Sequence, residues 1–176
     1  MKRLVIAVLG VLLAAGCSGS SSSATSPSTN GPGTSQIRFT AALSPSQETP
    51  PITNAESTGS GVATIDFTVT RDANSVITAA TVNFQVTLTG FPSTAVITAA
   101  HIHPGAAGVA GGVLVSTTTV PGEVVLTGGA GNFTRNGITM TATVAQSIID
   151  NPAGFYFNVH TTVNPGGVAR GQLVKQ

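Results

Sequence analysis

Three histidines are the residues of this chain whose types and spacing could do chemistry. His101 and His103 stand one residue apart in "ITAAHIHPGAAG", and His160 follows far downstream in "FYFNVHTTVNPGG". Alternate residues of a β-strand point to the same face, so His101 and His103 share a face. By the same rule, His160 shares a face with Tyr156 and Asn158. If these strands are neighbours, three imidazoles converge on the outer surface of a sheet.

Two interpretations of this histidine group follow from its chemistry. Three neutral imidazoles on a rigid sheet suit one copper or zinc ion, and the general affinity order of divalent metals favours copper. Alternatively, the histidines form a structural hydrogen-bond network that fixes the two long loops at residues 104–111 and 162–167. Glu123 and Asp150 are the downstream acidic residues available to support metal ligands. Both interpretations stay open at the level of sequence.

The elements that must position these residues are strands, because apolar and polar residues alternate in most segments. One helix is expected within residues 141–154, where Val144, Ile148 and Ile149 recur at helical spacing and Asn151-Pro152 ends the pattern. About eight strands with Gly- and Pro-rich turns and one short helix indicate an all-β, antiparallel Greek-key sandwich or flattened barrel. The expected strands cover residues 37–43, 60–71, 76–91, 95–103, 112–118, 123–126, 155–161 and 168–174.

The N-terminus has the pattern of an export signal. Lys2 and Arg3 precede an apolar run over residues 4–15 that is too short for a permanent membrane span. Its end, "LAAGC", resembles the lipobox of bacterial lipoproteins, in which Cys17 is lipidated and becomes the first mature residue. The alternative is an ordinary cleaved signal with an incidental cysteine. Ser18 after the cysteine favours an outer-membrane anchor in a cell with two membranes, by the same resemblance.

The chain therefore divides into a signal at residues 1–16, a lipidated Cys17 with a tether through residue 36, and one domain over residues 37–176. The tether is almost entirely Ser, Thr, Gly, Pro and Asn, which cannot bury enough apolar surface to fold. Without Lys2 and Arg3 the chain has five basic and six acidic residues, a formal charge near −1. No basic cluster supports nucleic-acid binding. We expect a monomer that is held to the membrane by its lipid anchor, and the sequence does not identify a protein or small-molecule partner.

Two long motifs give the chain a family resemblance. "HIHPGAAGVAGGVLV" and "AGFYFNVHTTVNPGGVARGQL", together with the loop "SPSQETPP", resemble the CHRD domain, a module named for chordin and also found in exported bacterial proteins. The likeness extends from about Ile37 to Val174. Val168 and Ala169 stand where the family has Glu and Ile, so this chain has no acidic residue there. The resemblance implies a non-catalytic module with a binding or structural role at the cell envelope.

The same residues show a fainter similarity to the copper half of Cu,Zn superoxide dismutase. On that resemblance His101, His103 and His160 would bind copper, with residual redox activity as a further alternative, and Arg170 would attract an anion. The bridging ligand, the zinc-binding histidines and the paired cysteines of that enzyme are missing, so a complete dismutase site cannot form. The other interpretation of Arg170 is that its guanidinium binds loop carbonyls and its stem packs on the sheet.

Overall fold

Alternating apolar residues form long antiparallel strands in the structure, a computed structural model that describes residues 33–176. A five-stranded sheet has the order β6-β3-β2-β1-β9, and a four-stranded sheet has the order β5-β4-β7-β8. The strands are β1 (Gly33–Leu43), β2 (Ser60–Arg71), β3 (Ile77–Thr89), β4 (Ile97–Pro104), β5 (Val115–Ser116), β6 (Gly131–Met140), β7 (Phe155–Thr161), β8 (Ala169–Gln172) and β9 (Val174–Lys175).

The predicted fold class is confirmed as an all-β antiparallel sandwich. In the described part of the chain there are nine strands in two separate sheets, so the arrangement is a sandwich and not a closed barrel. Apolar side chains of both sheets fill the space between them, and Phe84 of β3 meets Phe157 of β7 with ring centres 5.7 Å apart. This contact between facing sheets is the packing that alternation along both strands requires.

The predicted helix is also confirmed. Helix α1 spans Ala142–Asp150 and is preceded by Thr141, whose hydroxyl accepts a hydrogen bond from the backbone amide of Val144. Ile148 is fully buried against the core, as the helical spacing predicts. The helix ends before Pro152, which cannot continue an α-helical hydrogen-bond ladder.

Several strand predictions were wrong. The predicted strand at residues 168–174 divides into β8 and β9, which belong to different sheets, and only residues 115–116 of the predicted strand at 112–118 are extended. Strand β6 was not predicted, because Gly131–Met140 is an edge strand with few buried positions and an irregular pattern. Its bulge needs Gly137, which has φ +68° and donates its backbone N–H to the Asn83 side chain. Residues 123–126 were predicted as a strand but form a turn and irregular backbone. Val124 and Leu126 are buried there, so their alternation reflects a loop packed on the core.

The start of the domain lies slightly earlier than the alternation indicated. Strand β1 begins at Gly33 and pairs with β2 along its whole length, from Gly33 opposite Arg71 to Leu43 opposite Gly61. Residues 33–36, expected in the tether, are therefore part of the sheet. The signal, Cys17 and the rest of the tether lie outside the described residues. Among residues 33–176, no helix is long and apolar enough to cross a lipid bilayer.

Candidate metal centre

The register of the four-stranded sheet puts the predicted site residues in two neighbouring rows. One row crosses the sheet from His101 on β4 through Asn158 on β7 to Arg170 on β8. The next row contains His103 and Tyr156, and Gln172 lies opposite Tyr156. His160 follows Asn158 on the same face of β7, since residues two apart in a strand share a face.

The structure brings the three histidines together. Nδ1 of His101 lies 3.1 Å from Nε2 of His160. The His101 and His103 ring centres are 5.4 Å apart, and those of His103 and His160 are 6.0 Å apart. One ring nitrogen from each histidine can be chosen so that all three nitrogens lie within 4.8 Å of one another. The described residues contain no other such group of His, Cys, Asp and Glu side chains.

This face of the sheet is not an open surface, which corrects the expectation of an exposed site. His103 and His160 are buried, and only His101 is partly accessible. Three segments contact the polar side chains of this face. Residues 105–112 contact His103 and Arg170, the turn at residues 162–167 contacts His160, and Glu48 from the segment after β1 lies beside Asn158 and Arg170. An ion could therefore reach the histidines from the His101 side, while the other two rings are shielded from water.

Hydrogen bonds to the covering loops determine which nitrogen is protonated in the His103 ring and in the His160 ring. Nδ1 of His103 lies 3.0 Å from the carbonyl oxygen of Gly111, and Nδ1 of His160 lies 2.9 Å from that of Pro165. A carbonyl oxygen only accepts hydrogen bonds, so both Nδ1 atoms carry the proton. In the neutral rings, both Nε2 atoms are then unprotonated, and that of His160 lies 3.1 Å from Nδ1 of His101 and 3.0 Å from Oδ1 of Asn158. Nε2 of His103 is buried without a hydrogen-bond partner within the described residues.

Burial favours the neutral form of His101 and of His160. Removal from water lowers the pKa of His101 to about 4, and the nearby charges of His160 and His103 act in the same direction. Burial also lowers the pKa of His160, against the hydrogen bond to Pro165, which favours its charged form. Neutral rings have the lone pairs that a metal ion needs.

The spacing of the nitrogens fits one transition-metal ion after a small movement. Donors bound to one copper or zinc ion at about 2.0–2.1 Å lie about 3.3–3.5 Å from each other. The His101–His160 pair is near this spacing at 3.1 Å. A nitrogen of His103 lies within 4.8 Å of the nitrogens of the other two rings, so the His103 ring would move inward to bind the same ion. Its orphaned, buried Nε2 independently indicates a position built for a partner that protein atoms do not supply.

Arg170 acts on the loops in this structure. Its side chain is 1% exposed, and its guanidinium donates to the carbonyl oxygens of Val109 and Ala106 and to the Gln172 side chain. It also lies over the ring of Tyr156, 3.5 Å from the ring centre. These contacts match the loop-fixing interpretation and occupy the guanidinium.

Sequence reasoning missed two polar residues of this site. Asn158 is 2% exposed, and its Oδ1 lies 3.0 Å from Nε2 of His160. Glu48 is buried beside Asn158 and Arg170; burial raises its pKa to about 7, although the Arg170 charge and hydrogen bonding from Asn158 oppose this shift. The position of Asn158 on the histidine face was visible in the alternation. The loop motif "SPSQETPP" contains Glu48, but no local pattern indicates that Glu48 lies beside Asn158 and Arg170.

The two acidic residues proposed to support the ligands lie in other interactions. Glu123 pairs with Arg135 at 2.5 Å, and Asp150 accepts a hydrogen bond from Gln146 on helix α1. That prediction rests on acidic residues that follow His101 and His103 in the chain. The acid near the histidine face, Glu48, comes instead from the segment that follows β1.

Comparison with known proteins matches most of the chain to one family model. The family model for the CHRD domain matches residues 39–173, which cover both sheets and all three histidines. No curated protein and no solved structure matches the chain significantly. The match includes most of the chain and contains both motifs that carry the resemblance. The chain therefore belongs to the CHRD domain family.

Proposed function

We propose that this protein is a CHRD module tethered to the cell envelope that binds one copper ion through His101, His103 and His160. The proposal rests on the lone pairs of the Nε2 atoms of His103 and His160. The Nδ1–H groups of His103 and His160 are held by loop carbonyls, which leaves Nε2 of each ring unprotonated. Fixing one nitrogen of a ligating imidazole in this way is the usual arrangement at metal sites.

Copper is favoured over other ions by the donor set. Three neutral nitrogens without a carboxylate suit copper or zinc, and they do not suit calcium or magnesium, which prefer oxygen. Among divalent first-row ions copper binds such sites most tightly. The structural network and the metal site are compatible here, because the loops use the Nδ1 atoms and the ion would use nitrogens that face the cluster.

The tethering part of the proposal is supported by sequence alone. The pattern "LAAGC" and the polar segment after Cys17 support a lipid anchor followed by a flexible linker. The module would then stand outside the cytoplasm as a monomer, with the outer membrane as its anchor in a cell with two membranes. Radioactive palmitate should label the chain in its producing cell and should not label a Cys17→Ser variant.

The metal site is tested by titrating the purified full chain with Cu(II) and separately with Zn(II). We expect about one equivalent of copper and a stabilisation of about 2.7 kcal/mol at a free-metal concentration 100 times the Kd. A variant with His101→Ala, His103→Ala and His160→Ala should lose both effects. Copper uptake that is unchanged in this variant, or no uptake by the natural chain, would overturn the proposal and leave a structural role for the histidines.

A further inference from the structure

We propose that the side-chain oxygen of Asn158 is a fourth donor to the copper ion, so that the site is three nitrogens and one oxygen. This inference rests on the proposed function and names a ligand that the histidine pattern does not contain. Asn158 lies in the same cross-strand row as His101, and two residues before His160. It is therefore placed on the histidine face by the sheet itself.

The contact between Asn158 and His160 is the first argument. Oδ1 of Asn158 lies 3.0 Å from Nε2 of His160. Because Nδ1 of His160 carries the proton, two hydrogen-bond acceptors face each other across this distance. A cation between them would relieve the repulsion of the two lone pairs. The 3.0 Å separation is also close to the spacing of about 3.3 Å between two donors on one tetrahedral ion.

The Asn158 amide nitrogen lies on the side of Glu48. Asn158 favours the charged form of the Glu48 carboxyl group, and Oε1 of Glu48 has no hydrogen-bond partner within the described residues. A Cβ atom placed on Gly167 would lie 2.7 Å from Nδ2 of Asn158 and 2.7 Å from Oε1 of Glu48, so the amide nitrogen is on the Glu48 side. The amide oxygen is consequently turned toward His160.

With Oδ1 of Asn158 as a ligand, the site should prefer Cu(II) over Cu(I). Imidazole nitrogen serves both states, whereas a carbonyl oxygen is a harder donor and favours the divalent ion over Cu(I). Loss of the oxygen should therefore weaken Cu(II) binding more than Cu(I) binding. A purely structural role for Asn158 would not discriminate between the two ions.

The test compares Asn158→Leu and Asn158→Asp with the natural full chain. We expect Asn158→Leu to raise the Kd for Cu(II) about tenfold or more and the Kd for Cu(I), measured under reductant, by less than about threefold. Asn158→Asp keeps an oxygen and adds a charge, so Cu(II) should bind at least as tightly and give a changed electron paramagnetic resonance spectrum. Asn83→Asp adds the same charge on the other sheet and should change neither quantity.

The outcomes separate the two proposals. If the natural chain binds no copper, the proposed function fails and this inference fails with it. If the natural chain binds copper, and Asn158→Leu leaves both dissociation constants unchanged, the histidine site stands and the oxygen donor is overturned. Should Asn158→Leu fail to fold, an Asn158→Asp spectrum identical to that of the natural chain overturns the oxygen donor alone.

Discussion

The guanidinium carbon of Arg170 lies 3.5 Å from the centre of the Tyr156 ring, and the same ring is stacked on His103 with an angle of 6° between the planes. A loop-fixing cation and a candidate metal ligand therefore contact one aromatic side chain. The hydroxyl of Tyr156 also accepts a hydrogen bond from the backbone N–H of Gly111, whose carbonyl oxygen accepts from His103. The loop over the site and the ring below it are held as one unit.

Removal of the Arg170 side chain should weaken the packing of residues 105–112 over the Tyr156 ring. In Arg170→Ala, the carbonyl oxygens of Val109 and Ala106 lose their donor and a buried space opens over Tyr156. We expect a loss of about 3–5 kcal/mol in the free energy of unfolding, measured by denaturant titration. Hydrogen exchange should accelerate at residues 105–112. The control is Arg38→Ala, which removes an exposed ion pair with Asp66 and should cost far less. Equal losses in the two variants would contradict this role of Arg170.

Gly167 should tolerate no side chain, because it has φ +132° and lies against Glu48 and Asn158. Gly167→Ala forces an alanine into a left-handed backbone region and places its Cβ against two buried polar groups. We expect a destabilisation of at least about 2 kcal/mol, measured as a change in unfolding free energy. Gly166→Ala is the matched control, since a Cβ there meets nothing within 4 Å. A Gly167→Ala protein as stable as Gly166→Ala would show that this packing is absent in solution.

Glu48 should make the protein less stable as pH rises. Its pKa is raised from 4.5 to about 7, so the folded chain binds more protons than the unfolded chain between these values. The stability contributed by protonated Glu48 is therefore full below about pH 4.5 and is lost as pH rises through 7. We expect Glu48→Gln to be more stable than the natural chain by about 1–2 kcal/mol at pH 8. Urea titrations at pH 5 and pH 8 would measure this, and a variant with no advantage at pH 8 would contradict it.

The proposed copper binding should resist acid more than binding by exposed histidines does. The pKa of His101 is lowered to about 4, mainly by burial, so protons compete with the metal weakly at pH 5.5. We expect copper to stay bound at pH 5.5 and to be released as pH approaches 4. Equilibrium dialysis against buffered copper would follow the release. A midpoint near 6.5, the ordinary histidine value, would contradict the lowered pKa of His101.

The fold was predictable from sequence wherever alternation was strong. Strands β2 and β3 have one face buried at nearly every second residue, so their extent and pairing followed from the pattern alone. Strand β6 was not predicted from the alternation, because an edge strand needs few buried residues. Strands β4 and β7 pair residues that are more than fifty positions apart in the chain. The alternation does not show which strands are neighbours, so the sequence alone did not predict this pairing.

The sequence by itself determined that three imidazoles lie on the polar faces of two strands and that the chain has the motifs of a CHRD domain, because the period of a β-strand is local. Only the tertiary structure decided that the loops cover this face, which ring nitrogens they occupy, and that Glu48 lies beside Asn158 and Arg170. These relationships join residues that are far apart in the chain, and no local pattern records them. The physical reason is that proton positions and burial at the site depend on loop carbonyls and packing that exist only when both sheets are assembled.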